Sequence, residues 1–145
     1  EPLKVWGKLA GDHIELAKEP VISAQCYRVA VQEGHTAAGS VSFKNKPSKE
    51  DMIKAWNGFV GEAQKLELPS APEHFLQYLE EDNRPQPKLD AMFGNGMGVS
   101  IARLREDNIF DYKFACLSHN TLRGAAGGGM LTAELLTKKG YITAK

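Results

Sequence analysis

Arg28 and His35 are the side chains of this 145-residue sequence whose types and spacing carry the clearest chemical meaning. Both lie in the stretch Ile22-Ser-Ala-Gln-Cys-Tyr-Arg-Val-Ala-Val-Gln-Glu-Gly-His-Thr36. A guanidinium matches a carboxylate with two parallel hydrogen bonds, and an imidazole moves protons near neutral pH. Together they would hold an anionic substrate and exchange protons with it. Taken singly, each has a plainer reading: a histidine after a glycine is usually a solvated loop residue, and a strand arginine usually faces water. Their combination is what raises them.

Positioning the pair makes demands on the chain. Val21 to Val31 is rich in β-branched and aromatic residues and predicts a strand. Alternation puts Ala24, Cys26, Arg28 and Ala30 on one side, so that Arg28 projects beside small neighbours with room for an anion. A fully extended chain would hold Arg28 and His35 ~23 Å apart, at ~3.3 Å per residue. They share a site only if the chain bends, and Gly34 supplies the bend because it takes φ > 0 at little cost.

The other elements follow from local signals. Leu3, Val5, Trp6 and Leu9 predict a short helix ended by Gly11, with Pro2 at an early helical position, and residues 11–20 read as a polar connector. Gly39 to Lys44 alternates as a half-buried strand paired with its predecessor. Ser48 and Asp51 form a capping-box pattern ahead of Met52, Ile53, Trp56, Phe59 and Val60, predicting a helix over 49–60. Phe75 to Glu80 is a short strand. Residues 81–98, with Pro85, Pro87, Gly94, Gly96 and Gly98, read as a long loop of the kind that is usually functional, partner-binding or disordered. Val99 to Arg105 and Ile109 to Leu117 predict a hairpin. A last helix starts near Asn120 or Thr121 as cap, with His119 and Asn120 also readable as simple caps at its start, and Gly140 ends it. Gly124 and Gly127 to Gly129 oppose that helix by ~3–4 kcal/mol in sum, so close approach of a backbone or a ligand must compensate.

The 18 basic and 18 acidic side chains balance, and no basic stretch is interleaved with aromatics. Nucleic acid and membrane are therefore not expected partners, and no apolar run reaches the ~20 residues of a bilayer span. Cys26 and Cys116 lie in apolar, strand-like runs without metal-ligand spacing and read as reduced packing residues of a cytoplasmic protein. His13 and His74 lack partners at metal-like spacing, so no metal is expected. Arg103 and Arg105 share a strand face, as an anion site, a subunit contact or a solvated edge. Pattern alone gives the α+β class: a mixed, mainly antiparallel sheet of about five strands with helices packed on one face.

The Ile22–Thr36 stretch resembles the signature of aspartate-semialdehyde dehydrogenases: Ile22, Ser23, Cys26, Arg28, Val29, Gly34, His35 and Thr36 occupy its constrained positions. Arg84-Pro-Gln-Pro-Lys-Leu-Asp90 is similar to a segment of the fungal and archaeal-like branch, and Asn120-Thr-Leu-Arg-Gly-Ala-Ala126 to the start of that family's long C-terminal helix. The resemblance implies a fold similar to the catalytic domain of glyceraldehyde-3-phosphate dehydrogenase. It also implies NADPH-dependent reductive dephosphorylation of aspartyl-4-phosphate to aspartate 4-semialdehyde, in lysine, threonine and methionine biosynthesis.

In that family the histidine is the acid/base catalyst and the arginine holds the substrate carboxylate, which transfers to His35 and Arg28. The amide residue near the nicotinamide transfers to Asn120. Cys26, although it shares a strand face with Arg28, is not the expected nucleophile. The family's cysteine lies in an earlier Asn-Cys segment that this sequence does not contain. The chain is therefore expected to be a fragment, residues 1–145, forming the substrate-binding and dimerisation domain of a homodimer or homotetramer. The N-terminal domain that binds most of the NADP is absent, and the fragment should be inactive alone. The helix-like opening Glu1-Pro2-Leu3 agrees with a chain cut from a longer one. Rival readings are an N-acetylglutamyl-phosphate or malonyl-CoA reductase, and a non-catalytic binding module of the same fold.

Overall fold

The computed structural model describes residues 1–144 and divides into two compact units, Glu1–Ala30 and Val31–Lys145. In the first, helix α1 (Pro2–Val5) is a single turn, followed by strands β1 (Lys8–Ala10) and β2 (His13–Glu15). The expected helix thus stops early. Gly11 does not end it but, at φ +66°, turns an antiparallel hairpin in which Ala10 faces His13. A glycine in a two-residue loop is the usual device for so tight a reversal.

Residues 21–29 form no strand, and their side chains are exposed. This corrects the expectation for Val21–Val31. β-branched and aromatic residues favour a strand because they fit a pleated, half-buried surface beside a partner. Among the described residues none pairs with this segment, so neither a ladder nor a buried face forms. Cys26 is consequently exposed and not a packing residue.

The second unit is built on a four-stranded mixed sheet in the order β3 (His35–Val41), β6 (Tyr112–Ser118), β5 (Val99–Glu106), β4 (Leu76–Leu79). The α+β class holds. β5 and β6 make the anticipated antiparallel hairpin, β3 adds antiparallel to β6, and β4 adds parallel to β5. Two adjustments matter. β3 begins at His35 itself, and its partner is β6, not the preceding segment.

Helix α2 (Lys49–Asn57) starts as its sequence dictates: Ser48 Oγ accepts from the Asp51 amide at 3.0 Å. Gly58 closes it sooner than expected, leaving Phe59 and Val60 exposed. Met52 is buried with Leu104 and Tyr112, and Trp56 stacks near Tyr78 and Phe114 at ring separations of 5.9 and 5.3 Å. This contact lays α2 on one face of the sheet. Helix α3 (Glu62–Lys65) is one turn.

The 81–98 stretch is ordered by a one-turn helix, α4 (Pro87–Asp90), whose Pro87 sits at the first helical position. The last helix opens as a π-helical turn over Leu122–Ala126, continues as α5 (Gly127–Lys138) and stops at Gly140, φ +80°. Two of the four glycines of this helix answer to their own chain, while a Cβ on Gly124 would come no nearer than 3.6 Å to a neighbour and one on Gly129 would meet nothing within 4 Å. A Cβ on Gly127 would lie 2.5 Å from Met97 Sδ, and one on Gly128 2.5 Å from the Arg123 carbonyl oxygen.

Candidate active site around His35

His35 stands exposed at the head of β3, opposite Ser118 at the end of β6. Three constraints fix the backbone that delivers it. The ladder to β6 is the first. The second is Gly34, buried and at φ +104°, a conformation side chains rarely adopt. A Cβ there would meet Leu117 Cδ1 at 3.0 Å, Pro87 Cβ at 3.3 Å and Ala91 Cβ at 3.6 Å. The bend expected at Gly34 therefore exists, and α4 packs against it.

The third constraint comes from 86 residues away in sequence: the Gly34 amide donates to Asn120 Oδ1 at 2.7 Å. Asn120 does not cap the last helix, and neither does the Thr121 side chain. The acceptor is His119, 7% exposed, whose Nδ1 takes the amides of Thr121 and Leu122, each at 3.1 Å. An Nδ1 that accepts two N–H bonds carries no proton, so the ring's own proton sits on Nε2. Glu33 Oε2 lies 3.9 Å from His119 Nδ1 and accepts a long bond from Thr121 Oγ1 at 3.4 Å. Glu33-Gly34-His35 and His119-Asn120-Thr121 thus lie side by side, joined through Asn120.

Below this corner a buried ion pair holds the α4 segment. Asp90, 3% exposed, accepts from Arg84 Nε at 2.8 Å, from Arg84 Nη2 and from the Gln86 amide at 2.6 Å. Burial alone would push the carboxyl pKa up. The Arg84 hydrogen bond, the Gln86 amide and the Arg84 charge outweigh it, so the pKa lies below the usual carboxylate value. The Arg84–Asp90 pair was not among the sequence expectations; His119 was, as a candidate cap of the last helix, and it is one. The signal available for the first was an arginine and an aspartate bracketing a proline-initiated turn.

Of the expected site residues, His35 and Asn120 come together in the second unit, joined through Gly34. Arg28 belongs to the first unit. Its guanidinium is exposed, and among the described residues it has no ion pair or hydrogen bond. Arg103 does not share a plain strand face with Arg105. It takes φ +59° in a bulge of β5, and its Nη1 donates to the Asp82 carbonyl at 3.1 Å. Among the described residues no cluster of potential metal ligands occurs, and no helix is long and apolar enough to cross a membrane.

Residues 1–123, which carry the glycine-bent histidine and the strand it opens, match the semialdehyde dehydrogenase dimerisation domain, and the chain belongs to that family. Within the family it is similar to aspartate-semialdehyde dehydrogenases. It is 45% identical over 148 residues to the one from Saccharomyces cerevisiae, covering 98% of this chain and 40% of that protein. The crystal structure of the Candida albicans aspartate-semialdehyde dehydrogenase with NADP superposes with a TM-score of 0.84 at 39% identity, covering 97% of this chain and 41% of that one. The malonyl-CoA reductase (NADP) of Metallosphaera sedula is 43% identical over 126 residues, covering 86% of this chain and 35% of that protein. The chain spans about 40% of the length of the first two.

Proposed function

We propose that residues 1–145 are the substrate-binding and dimerisation domain of an NADP-dependent aspartate-semialdehyde dehydrogenase, a cytoplasmic homodimer or homotetramer. The reaction is reductive dephosphorylation of aspartyl-4-phosphate, with release of phosphate and aspartate 4-semialdehyde. The nucleophilic cysteine and most of the NADP site belong to a part of the enzyme outside this chain.

His35 accepts the thiol proton as the cysteine sulfur attacks the acyl carbon and phosphate departs. It then carries protons as the hemithioacetal forms and breaks down, a task for which an imidazole is suited near neutral pH. Arg28, its guanidinium free of partners among the described residues, holds the substrate carboxylate through two parallel hydrogen bonds and so orients the reacting carbonyl. Asn120 commits its Oδ1 to Gly34, and among the described residues its Nδ2 has no partner. That donor fits the carboxamide oxygen of a nicotinamide. NADPH, when bound, supplies the hydride.

The observation that carries this reading is the exposed His35 at the head of β3, delivered by the Gly34 bend, in a chain 45% identical to an aspartate-semialdehyde dehydrogenase. It is tested by phosphate-dependent reduction of NADP with aspartate semialdehyde, run on the full-length protein and on residues 1–145. Activity is expected in the full-length protein alone. His35→Ala should lower it by ~10²–10⁴-fold, the range of a general acid/base group. A folded, full-length protein inactive in this assay overturns the proposal. The likeness to a malonyl-CoA reductase favours one second reading, so malonyl-CoA with NADPH is assayed beside it. Turnover of neither substrate would leave a non-catalytic module of the same fold.

A further inference from the structure

We propose that Asn120 is a positioning residue for His35, acting through the Gly34 amide; the inference rests on the acid/base role of His35 proposed above. A donor must face Oδ1 and not Nδ2, so the hydrogen bond itself fixes which way the Asn120 amide points. The Gly34 N–H is buried, and the 2.7 Å bond to Asn120 Oδ1 satisfies it. Without that acceptor the amide would have to turn toward water or stay unsatisfied. Turning changes the φ of Gly34, now +104°, and the bond being turned is the one that aims His35. Packing of Gly34 against Leu117, Pro87 and Ala91 resists such motion, and the Asn120 oxygen sets where the bend rests.

The asparagine is itself anchored. His119 Nδ1 holds the amides of Thr121 and Leu122, which pins the backbone on either side of Asn120, and Ser118 is in register with His35. The start of the last helix and the histidine strand therefore form one mechanical unit. A side chain read from resemblance as a cofactor contact has a second task, carried by its other amide atom.

The test uses the full-length enzyme with Asn120→Ala and Asn120→Asp. Aspartate keeps an oxygen acceptor for the Gly34 amide and removes the Nδ2 donor; alanine removes both. Asn120→Ala should lower kcat by ~10²-fold, the cost of misplacing a catalytic group by about an ångström, and Asn120→Asp should recover most of kcat. A cofactor contact through Nδ2 would instead appear as a raised KM for NADP in both variants. Amide hydrogen exchange of the peptide containing Gly34, followed by mass spectrometry on the same proteins, should be faster in Asn120→Ala and near wild type in Asn120→Asp. The proposal is overturned if Gly34 exchange is unchanged in Asn120→Ala. It is also overturned if the two variants lose kcat equally, or if only the KM for NADP moves. The exchange measurement needs no turnover, so a wild type inactive on aspartate semialdehyde would sink the dehydrogenase reading and still report on the Asn120–Gly34 contact.

Discussion

Replacing Asp90 by asparagine tests whether the floor beneath His35 depends on a buried charge pair. The wild-type carboxylate accepts from Arg84 Nε at 2.8 Å, from Arg84 Nη2 and from the Gln86 amide at 2.6 Å, with 3% of the residue exposed. Asparagine keeps one acceptor but turns an NH₂ group toward the guanidinium and leaves the cation only the exposed Glu81 carboxylate, 3.6 Å from Arg84 Nη1. Removing one partner of a buried pair costs ~3–5 kcal/mol. Arg84 retains 23% of its side-chain surface in water, which relieves part of that loss and places the expectation at the lower end, ~3 kcal/mol. At ~4 °C per kcal/mol for a chain of this size, the melting temperature should fall by ~12 °C. Thermal and urea melts of residues 1–145 measure it, and a loss below ~1 kcal/mol would refute the argument. The pH dependence follows from the sign of the shift. The folded pKa of Asp90 is lowered, so its stabilisation is complete above the unfolded value near ~3.9 and fades as pH falls through the folded one. The gap between wild type and Asp90→Asn should therefore be flat from neutral pH down to the ordinary carboxylate range and close only in acid. The double variant Arg84→Met, Asp90→Leu should be more stable than Asp90→Asn, since it leaves no charge stranded.

Two further outcomes rest on local geometry. Gly34→Ala should destabilise the chain by ~2–6 kcal/mol: ~1–3 for a non-glycine residue held at φ +104° and ~1–3 for a Cβ 3.0 Å from Leu117 Cδ1 and 3.3 Å from Pro87 Cβ. A thermal melt within a few degrees of wild type would show that the bend is not confined as described. For the thiols, burial pushes the Cys116 pKa up while Cys26 lies exposed. Iodoacetamide at neutral pH should label native residues 1–145 at Cys26 and spare Cys116, as peptide mapping would read. Label on Cys116 before unfolding would contradict its burial.

What was legible in the sequence was what neighbouring residues decide among themselves. Ser48 and Asp51 announce a helix start because a hydroxyl and an amide three residues apart satisfy one another. The β5–β6 hairpin follows from two apolar runs joined by a polar turn, and Gly34 and Gly140 sit at positive φ where only glycine is comfortable. The failures are of the opposite kind. Val21–Val31 carries strong strand composition, yet a strand exists only through a partner's backbone, and sequence composition does not reveal whether one is present. For the last helix the sequence offered Asn120, Thr121 and His119 as caps, and nothing local decides among them. Its cap is the His119 ring, and Asn120 is occupied by an amide 86 positions earlier. Arg84 and Asp90 each look like surface charges until a turn buries one against the other.

The candidate site divides along the same line. Residue types and spacing single out Arg28 and His35, because the chemistry a side chain can do is written in the chain. The backbone that delivers His35 is held by β6, by α4 and by Asn120 at the start of the last helix. A histidine is useful as an acid or base only while its ring points at the reacting atoms. The residues that place it therefore include Gly34, Pro87 and Asn120, beside the one side chain proposed to move the proton. For a chain that spans about 40% of its relatives' length, this has a physical consequence. The backbone supports of His35 lie wholly within the second unit, so under the proposed function the nucleophile is brought to a histidine strand already held in place.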